Sequence, residues 1–228
     1  YLHRDATYEV QKLDVDNNIA TLKPTTARHY THAIVESVIE TLAEVETAPL
    51  GEAKLVLAGI RVTDLVTSAS VKPYDGDTAS GVIELDLPPL IYETVGVRVD
   101  LPELLEAEEI GGLHGLEHAL VAIAPLLACC DRGDLGCAWY ATYAETMLPA
   151  VFVFDKVPGG VGLSEELFRS RKPWISAALQ SISGCSCHVG CPSCLYSSRC
   201  PAMNMLLDKD GAIKLLRRLS HTTADEPD

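Results

Sequence analysis

Residues 184–200 read GCSCHVGCPSCLYSSRC and hold five of the chain's eight cysteines within seventeen residues. No other segment restricts the fold as much, because sulfur ligands at this density commit the backbone around them. Cys185 and Cys187 form a C-x-C pair, and Cys191 and Cys194 a C-x-x-C pair. Each pair can chelate from one tight turn, as four-thiolate zinc sites do. Gly190 before the second pair and Pro192 within it suit a knuckle whose amides point at sulfur. The evenly chelating set is Cys185, Cys187, Cys191 and Cys194, with Cys200 as the substitute ligand. His188 lies one position from a cysteine, where ligand geometry is poor. A disulfide framework does not suit an intracellular chain of 228 residues with a full core. A thioredoxin-type redox pair would leave three neighbouring cysteines unexplained. An iron–sulfur cluster also takes four cysteines and is the rival to structural zinc. Four sulfur ligands leave no open position for substrate, so the expectation is a clamp on the fold rather than a reacting centre.

The rest of the chain supplies the fold to be clamped. With 47% apolar and 22% charged residues it has ample material for a core. TYEVQKLDVDNNIATLKPT alternates around Asp16, Asn17 and Asn18, the pattern of a β-hairpin. Asp14, Asp16 and Asn18 imitate a calcium loop, but Ile19 stands where that loop requires glycine. β-branched runs punctuated by Gly and Pro continue to about residue 100. From LPELLEAEEI onward the texture changes. GLHGLEHALVAIAPLLACC and GCAWYATYAETML have helical spacing, and AVFVFDKV reads as a buried strand. LSEELFRSRKPWISAALQSI reads as one helix with Ser164 as its N-cap, and DKDGAIKLLRRL as a short basic amphipathic one. The fold class is therefore α+β: a mostly antiparallel β part over residues 1–100, then a helix-rich part over 101–220 carrying the four-cysteine zinc knuckle. Residues 221–228 are expected to be a flexible tail. The longest apolar run, at residues 118–130, is short of the ~20 residues of a membrane span. No secretory leader is evident, so no membrane partner and a cytoplasmic location are expected. The chain starts at Tyr1 in a segment that already reads as strand, which suggests a piece of a larger protein.

Two motifs imitate active sites. HGLEH places His114, Glu117 and His118 in H-x-x-E-H spacing, with both imidazoles on one helix face. A metallohydrolase would need a third ligand, and none is evident downstream, so hydrogen-bonded histidines are the expectation. FVFDKVPGGVGLSEEL has the strand, Gly-rich turn and helix of a phosphate cradle, but it lacks the Lys and hydroxyl of a nucleotide loop. A tight turn packing helix on strand is the simpler reading; a backbone-amide site for a nucleic-acid phosphate is the alternative. Cys129, Cys130 and Cys137 have no partner at metal spacing and are expected to be buried thiols. Charge is unevenly placed: residues 1–159 carry 10 Lys and Arg against 25 Asp and Glu, while residues 160–220 carry 8 against 4. A polyanion would thus meet the C-terminal part. The candidates for phosphate contact are Arg169, Arg171, Lys172, Arg199, Arg217 and Arg218, with Trp174 placed to stack a base.

GLHGLEHALVAIAPLLACCDRGDLG, VFVFDKVPGGVGLSEELF and CSCHVGCPSCLYSSRC, taken in this order, resemble the C-terminal region of MrfA-type superfamily 2 (DEAD/DEAH-box) DNA helicases, which ends in a zinc-binding domain. YLHRDATYEVQKLDVDNNIATLKPTTARHYT and LDLPPLIYETVGVRV are similar to the stretch that precedes it there, so the likeness covers nearly the whole chain. The extra cysteines Cys129 and Cys137 depart from the family pattern around CDRGDLG. The resemblance implies an accessory zinc-binding domain of an ATP-dependent 3′-to-5′ DNA helicase acting in DNA repair, with Cys185, Cys187, Cys191 and Cys194 on zinc. It implies motor domains in cis as partners, single-stranded or partly duplex DNA as ligand, and ATP and Mg2+ in those motor domains only. This chain holds neither a Walker A motif nor a D-E-x-H box, so no catalytic residue is assigned to it. A zinc-stabilised module that docks a protein partner, and a stand-alone metallohydrolase built on His114 and His118, are the other two readings.

Overall fold

The run KLVLAGI at residues 54–60 has no polar alternation, and the reason is that its strand is covered on both faces. The computed structural model describes residues 1–75 and 81–221, with only the backbone of Glu108. In chain order its strands are β1 (Leu2–His3), β2 (Ala6–Asp14), β3 (Ile19–Pro24), β4 (His29–Leu50), β5 (Ala53–Pro73), β6 (Gly81–Glu84) and β7 (Leu90–Asp100). Helix α1 (Ile110–Ala128) follows, then β8 (Leu135–Tyr140) and β9 (Ala150–Asp155), and then α2 (Leu163–Arg169), α3 (Arg171–Ser183) and α4 (Lys209–Ser220).

The chain divides into two compact units that do not follow chain order. The first comprises Tyr1–Val35 and Val66–Pro88. In it β2 and β3 form the expected hairpin, paired from Tyr8↔Pro24 to Asp14↔Ile19. The Asp14 carboxylate accepts the Asn17 amide at 3.1 Å, and Asn18 takes a left-handed φ of 54°. Those are turn roles for the residues that imitate a calcium loop. The end of β5 pairs with β6 from Ser68↔Glu84 to Val71↔Gly81.

The second unit, Glu36–Leu65 and Pro89–Asp228, takes strands from both sides of residue 100. Its sheet runs β4-β5-β7-β9-β8, with β5, β7, β9 and β8 antiparallel to their neighbours. Successive residues point to opposite faces. Leu55, Leu57, Val97, Val99, Val151 and Val153 pack with the helices, while Val56, Ala58, Ile60, Phe152 and Phe154 form a second core closed by Ile39, Tyr140 and Tyr143. Continuous apolar strands follow from that two-sided burial. A boundary near residue 100 fits this unit poorly, because β7 and β9 pair directly from Gly96↔Phe154 to Asp100↔Ala150.

Three local expectations are corrected. GCAWY is strand β8, not helix; aromatic residues favour pleated surface, and Gly136 leaves room for the Phe154 ring of β9. The expected single helix over residues 163–182 is two, α2 and α3, broken at Ser170. Pro173, in the first turn of α3, could not continue a helix past the carbonyl of residue 169. Ser164 lies inside α2, whose N-cap is Gly162. Helix α1 is longer than the apolar run in the sequence, and by length and composition it could cross a membrane. Its buried residues Leu113, Leu116 and Leu120 join the core cluster with α3 and α4, so it is a core helix. Residues 222–228, most of the expected tail, lie outside the described residues.

Candidate metal centre

The cysteine segment lies between α3 and α4. The Cys191 carbonyl accepts the amides of Cys194, Leu195 and Tyr196 and closes a tight turn. Gly190 precedes it with φ +118°, and a Cβ there would lie 2.8 Å from the Tyr196 ring, so both backbone and packing require glycine. The four sulfurs come together: Cys185–Cys187 3.6 Å, Cys185–Cys191 3.6 Å, Cys187–Cys194 3.5 Å and Cys191–Cys194 3.7 Å. A zinc ion bound at about 2.3 Å in a tetrahedron sets its sulfurs about 3.8 Å apart. The donors therefore fit one ion, whereas a cluster of several irons would hold them further apart. Cysteines are unpaired throughout, as a metal site requires. The Ser193 amide, with help from the Cys185 thiol, brings Cys191 down to about 7. Burial pushes Cys194 up to about 12. His188 is exposed and outside the group, and Cys200 is elsewhere.

Lys209 is a site residue that sequence reasoning passed over. A cation at the first position of a helix opposes the helix dipole. Here its Nζ donates to the carbonyls of Cys185 and Cys187 at 2.7 Å each and lies 3.5 Å from the Cys187 sulfur. A buried ammonium thus offsets the negative charge that four thiolates leave on a zinc site. The mismatch between Lys209 and its helix position was the available signal.

Behind the knuckle, α1 carries a second polar group. His114, Glu117 and His118 are 2%, 6% and 4% exposed, on the buried face of a helix. Burial, with His118 alongside, lowers the His114 pKa to about 4, and burial lowers that of His118, so both rings are neutral at neutral pH. Burial raises Glu117 to about 7 and raises the Cys200 thiol. His118 is hydrogen-bonded as expected, to the Leu195 carbonyl at 2.7 Å. His114 Nδ1 is buried without a well-formed hydrogen bond, with the Met205 backbone as polar neighbour. The absence of a third metal-capable group is corrected: Cys200, 86 positions away in sequence, puts its sulfur 3.3 Å from His114 Nε2. Cys129 is likewise corrected from buried to exposed, since it ends α1 in a left-handed turn. Cys137 is engaged with Glu117.

The Gly-rich turn holds an anion of its own. Asp155, fully buried at the end of β9, accepts the amides of Val161 at 2.7 Å, Leu163 at 3.3 Å and Ser164 at 2.9 Å, and the Ser164 hydroxyl at 2.6 Å. The internal carboxylate fills the place a phosphate would take, which corrects the backbone-amide alternative. Gly162, the N-cap of α2, has no side chain to cap with, and Asp155 caps the helix in its place.

Of the candidates for DNA contact, Trp174 is removed as a stacking platform. It is fully buried and donates Nε1–H to the Leu120 carbonyl at 2.9 Å. Arg218 is taken up by Glu52 and Glu103 at 2.7 Å each. Arg171 lies over Phe168 and bonds the Phe168 carbonyl at 3.3 Å. Arg169 pairs with Glu166 at the surface, Arg199 bonds the Arg132 carbonyl, and Arg169, Lys172, Arg199 and Arg217 are exposed.

Residues 116–195 match the family model of the MrfA Zn-binding domain. The chain is 30% identical over 204 residues to the uncharacterized ATP-dependent helicase YprA of Bacillus subtilis, covering 86% of this chain and 27% of the helicase. It is 31% identical over 110 residues to the uncharacterized protein MJ1572.1 of Methanocaldococcus jannaschii, 47% of this chain and 98% of that protein. Among solved structures, the helicase MrfA bound to DNA superposes with a TM-score of 0.65 at 28% identity, over 96% of this chain and 29% of that one. A further crystal structure of MrfA gives 0.66 at 27% identity, over 94% and 28%. The chain thus spans a little over a quarter of the helicases it matches.

Proposed function

Since this chain belongs to the family of the MrfA zinc-binding domain, the C-terminal zinc-binding region of MrfA-type helicases, we propose that Cys185, Cys187, Cys191 and Cys194 hold one structural zinc. The observation that carries this is the set of sulfur separations, 3.5 to 3.7 Å, at the edge length of a thiolate tetrahedron. When bound, zinc supplies folding energy to this segment and no reaction. The residues of the chain do the rest: the Cys191 turn preorganises two thiolates, Lys209 balances charge, and Leu195 hands the knuckle over to α1.

The parent protein, in this reading, is an ATP-dependent 3′-to-5′ DNA helicase working in repair, and this region helps hold DNA beside the motor domains. Support comes from the relatives, one named an ATP-dependent helicase and one crystallised with DNA. Contacts go to phosphates through the exposed cations Arg169, Lys172, Arg199 and Arg217 with Arg171, since buried Trp174 and ion-paired Arg218 are committed to the fold. The test is a titration of labelled single-stranded DNA at two salt concentrations, comparing wild type with the Arg169→Ala, Arg171→Ala, Lys172→Ala triple variant. If about three charges engage, log affinity falls against log salt with a slope of roughly −2, and the triple variant flattens it. Equal binding and equal slopes take this face out of the DNA path and favour a protein-docking role.

A further inference from the structure

His114 and His118 lie one helical turn apart on α1, their rings meeting edge to face at 4.6 Å. The His114 ring also stacks on Trp139 at 5.3 Å, which fixes its plane. His118 Nδ1 contacts the Leu195 carbonyl at 2.7 Å. A carbonyl only accepts, so Nδ1 carries the proton and Nε2 the lone pair. That is how proteins orient an imidazole toward a metal. One ligand atom each from His114, His118 and Cys200 lies within 4.8 Å of the other two, and the three residues are 2%, 4% and 9% exposed. The separation of 3.3 Å between His114 Nε2 and Cys200 Sγ is close to the N–S edge of about 3.5 Å in a tetrahedral zinc site.

We propose that His114, His118 and Cys200 form a second metal site, for a borderline-soft divalent ion of the zinc class. It is independent of the four-cysteine knuckle. Two imidazoles and a thiolate favour zinc or its neighbours over magnesium or calcium. Glu117 lies beside the group, its Oε2 3.8 Å from His118 Nε2, but is engaged with Cys137 and stands outside the three. Binding releases the Cys200 thiol proton to solvent and leaves the sulfur bonded to the ion.

The site's place in the chain defines its role. Leu195 follows the last knuckle cysteine, and Cys200 begins a stretch in which Met203, Asn204 and Leu206 all have positive φ. The knuckle secures one end of residues 191–200, and the second ion secures the other to α1. Burial closes the site to substrate, so it is structural and hydrolyses nothing.

The test uses the full 228-residue chain, loaded with zinc for metal analysis and with cobalt(II) for absorption spectra. Two equivalents of metal are expected. Cobalt should give a four-thiolate spectrum plus a second set of ligand-field bands at higher energy, with weaker thiolate charge transfer. Cys200→Ser and His118→Gln should each leave one equivalent and the four-thiolate spectrum alone, whereas Cys185→Ser should leave the second set. A wild-type chain that saturates at one equivalent with only four-thiolate bands overturns the proposal, and so does a second equivalent that survives both Cys200→Ser and His118→Gln. The wild-type titration is informative even if a variant does not fold. Loss of the four-thiolate bands would count against the knuckle instead.

Discussion

Asp155 accepts four hydrogen bonds with two oxygens at zero exposure, and it joins β9, the Gly-rich turn and α2. Asp155→Ala would strand the amides of Val161, Leu163 and Ser164 and leave the Ser164 hydroxyl only the Val95 carbonyl. Leaving such groups unsatisfied costs ~1–3 kcal/mol each, so a loss of about 3 kcal/mol or more is expected in urea denaturation. A variant as stable as wild type would mean that water reaches these amides. Glu145 shows the acid side of the same physics. Desolvation pulls its pKa up, but hydrogen bonds from Tyr143 and Thr41 outweigh it and hold the carboxyl below its ordinary 4.5. A depressed folded-state pKa contributes stability above the unfolded value, and that contribution disappears as pH falls through the folded one. Glu145→Gln should therefore be less stable than wild type above pH 4.5, with the gap closing on acidification. Thermal melts across that range read it directly; a gap independent of pH would assign the loss to packing.

At the scale of elements, the crossing of α1 and α4 places the polar groups. Gly112 meets Gly211 so closely that a Cβ would lie 2.8 Å from the Gly211 carbonyl carbon, and one at Gly115 would lie 2.9 Å from the Ala212 Cβ. Close approach brings the start of α4, with Lys209, to the knuckle and keeps α1 with its histidines beside Leu195. Gly112→Ala sets two effects against each other. Helix propensity favours alanine by about 1 kcal/mol. The new methyl, however, strikes backbone that cannot swing away, and overpacking of that kind costs ~1–3 kcal/mol. Net destabilisation is expected, read as a lower melting temperature; a higher one would show that the helices are not in this contact.

Across the whole molecule, acidic and basic residues are segregated along the chain, and some cations of both parts are committed to internal work. Lys209 serves the knuckle, and Arg218 is held by two glutamates. Arg98, 2% exposed, pairs bidentately with Asp100 and also reaches Glu44 and Thr41, a buried cation matched by acceptors. No element of the chain supplies a Walker A loop, and the one Gly-rich turn that resembles a cradle is filled by Asp155. The isolated chain should therefore show no ATP turnover, with or without DNA. Steady-state phosphate release by repurified protein checks this, and activity that persists would require a nucleotide site in a place the sequence does not mark.

Patterns written in neighbouring residues were readable before any fold was known. The C-x-C and C-x-x-C pairs, the hairpin at Asp16–Asn18, the buried run AVFVFD and the α+β class each depend on spacing within a dozen or so residues, where period and turn chemistry act directly. Sites that join distant positions were not readable this way. Cys200 looked like a spare knuckle ligand until α1 carried His114 to it, and Trp174 looked free to stack until Leu120 accepted its N–H. GCAWY became strand because β9 offered it a ladder, against its helical spacing. In each case the deciding partner lies on another element, tens of residues away for Cys200 and Trp174, and only chain packing puts its energy to work on the residue in question.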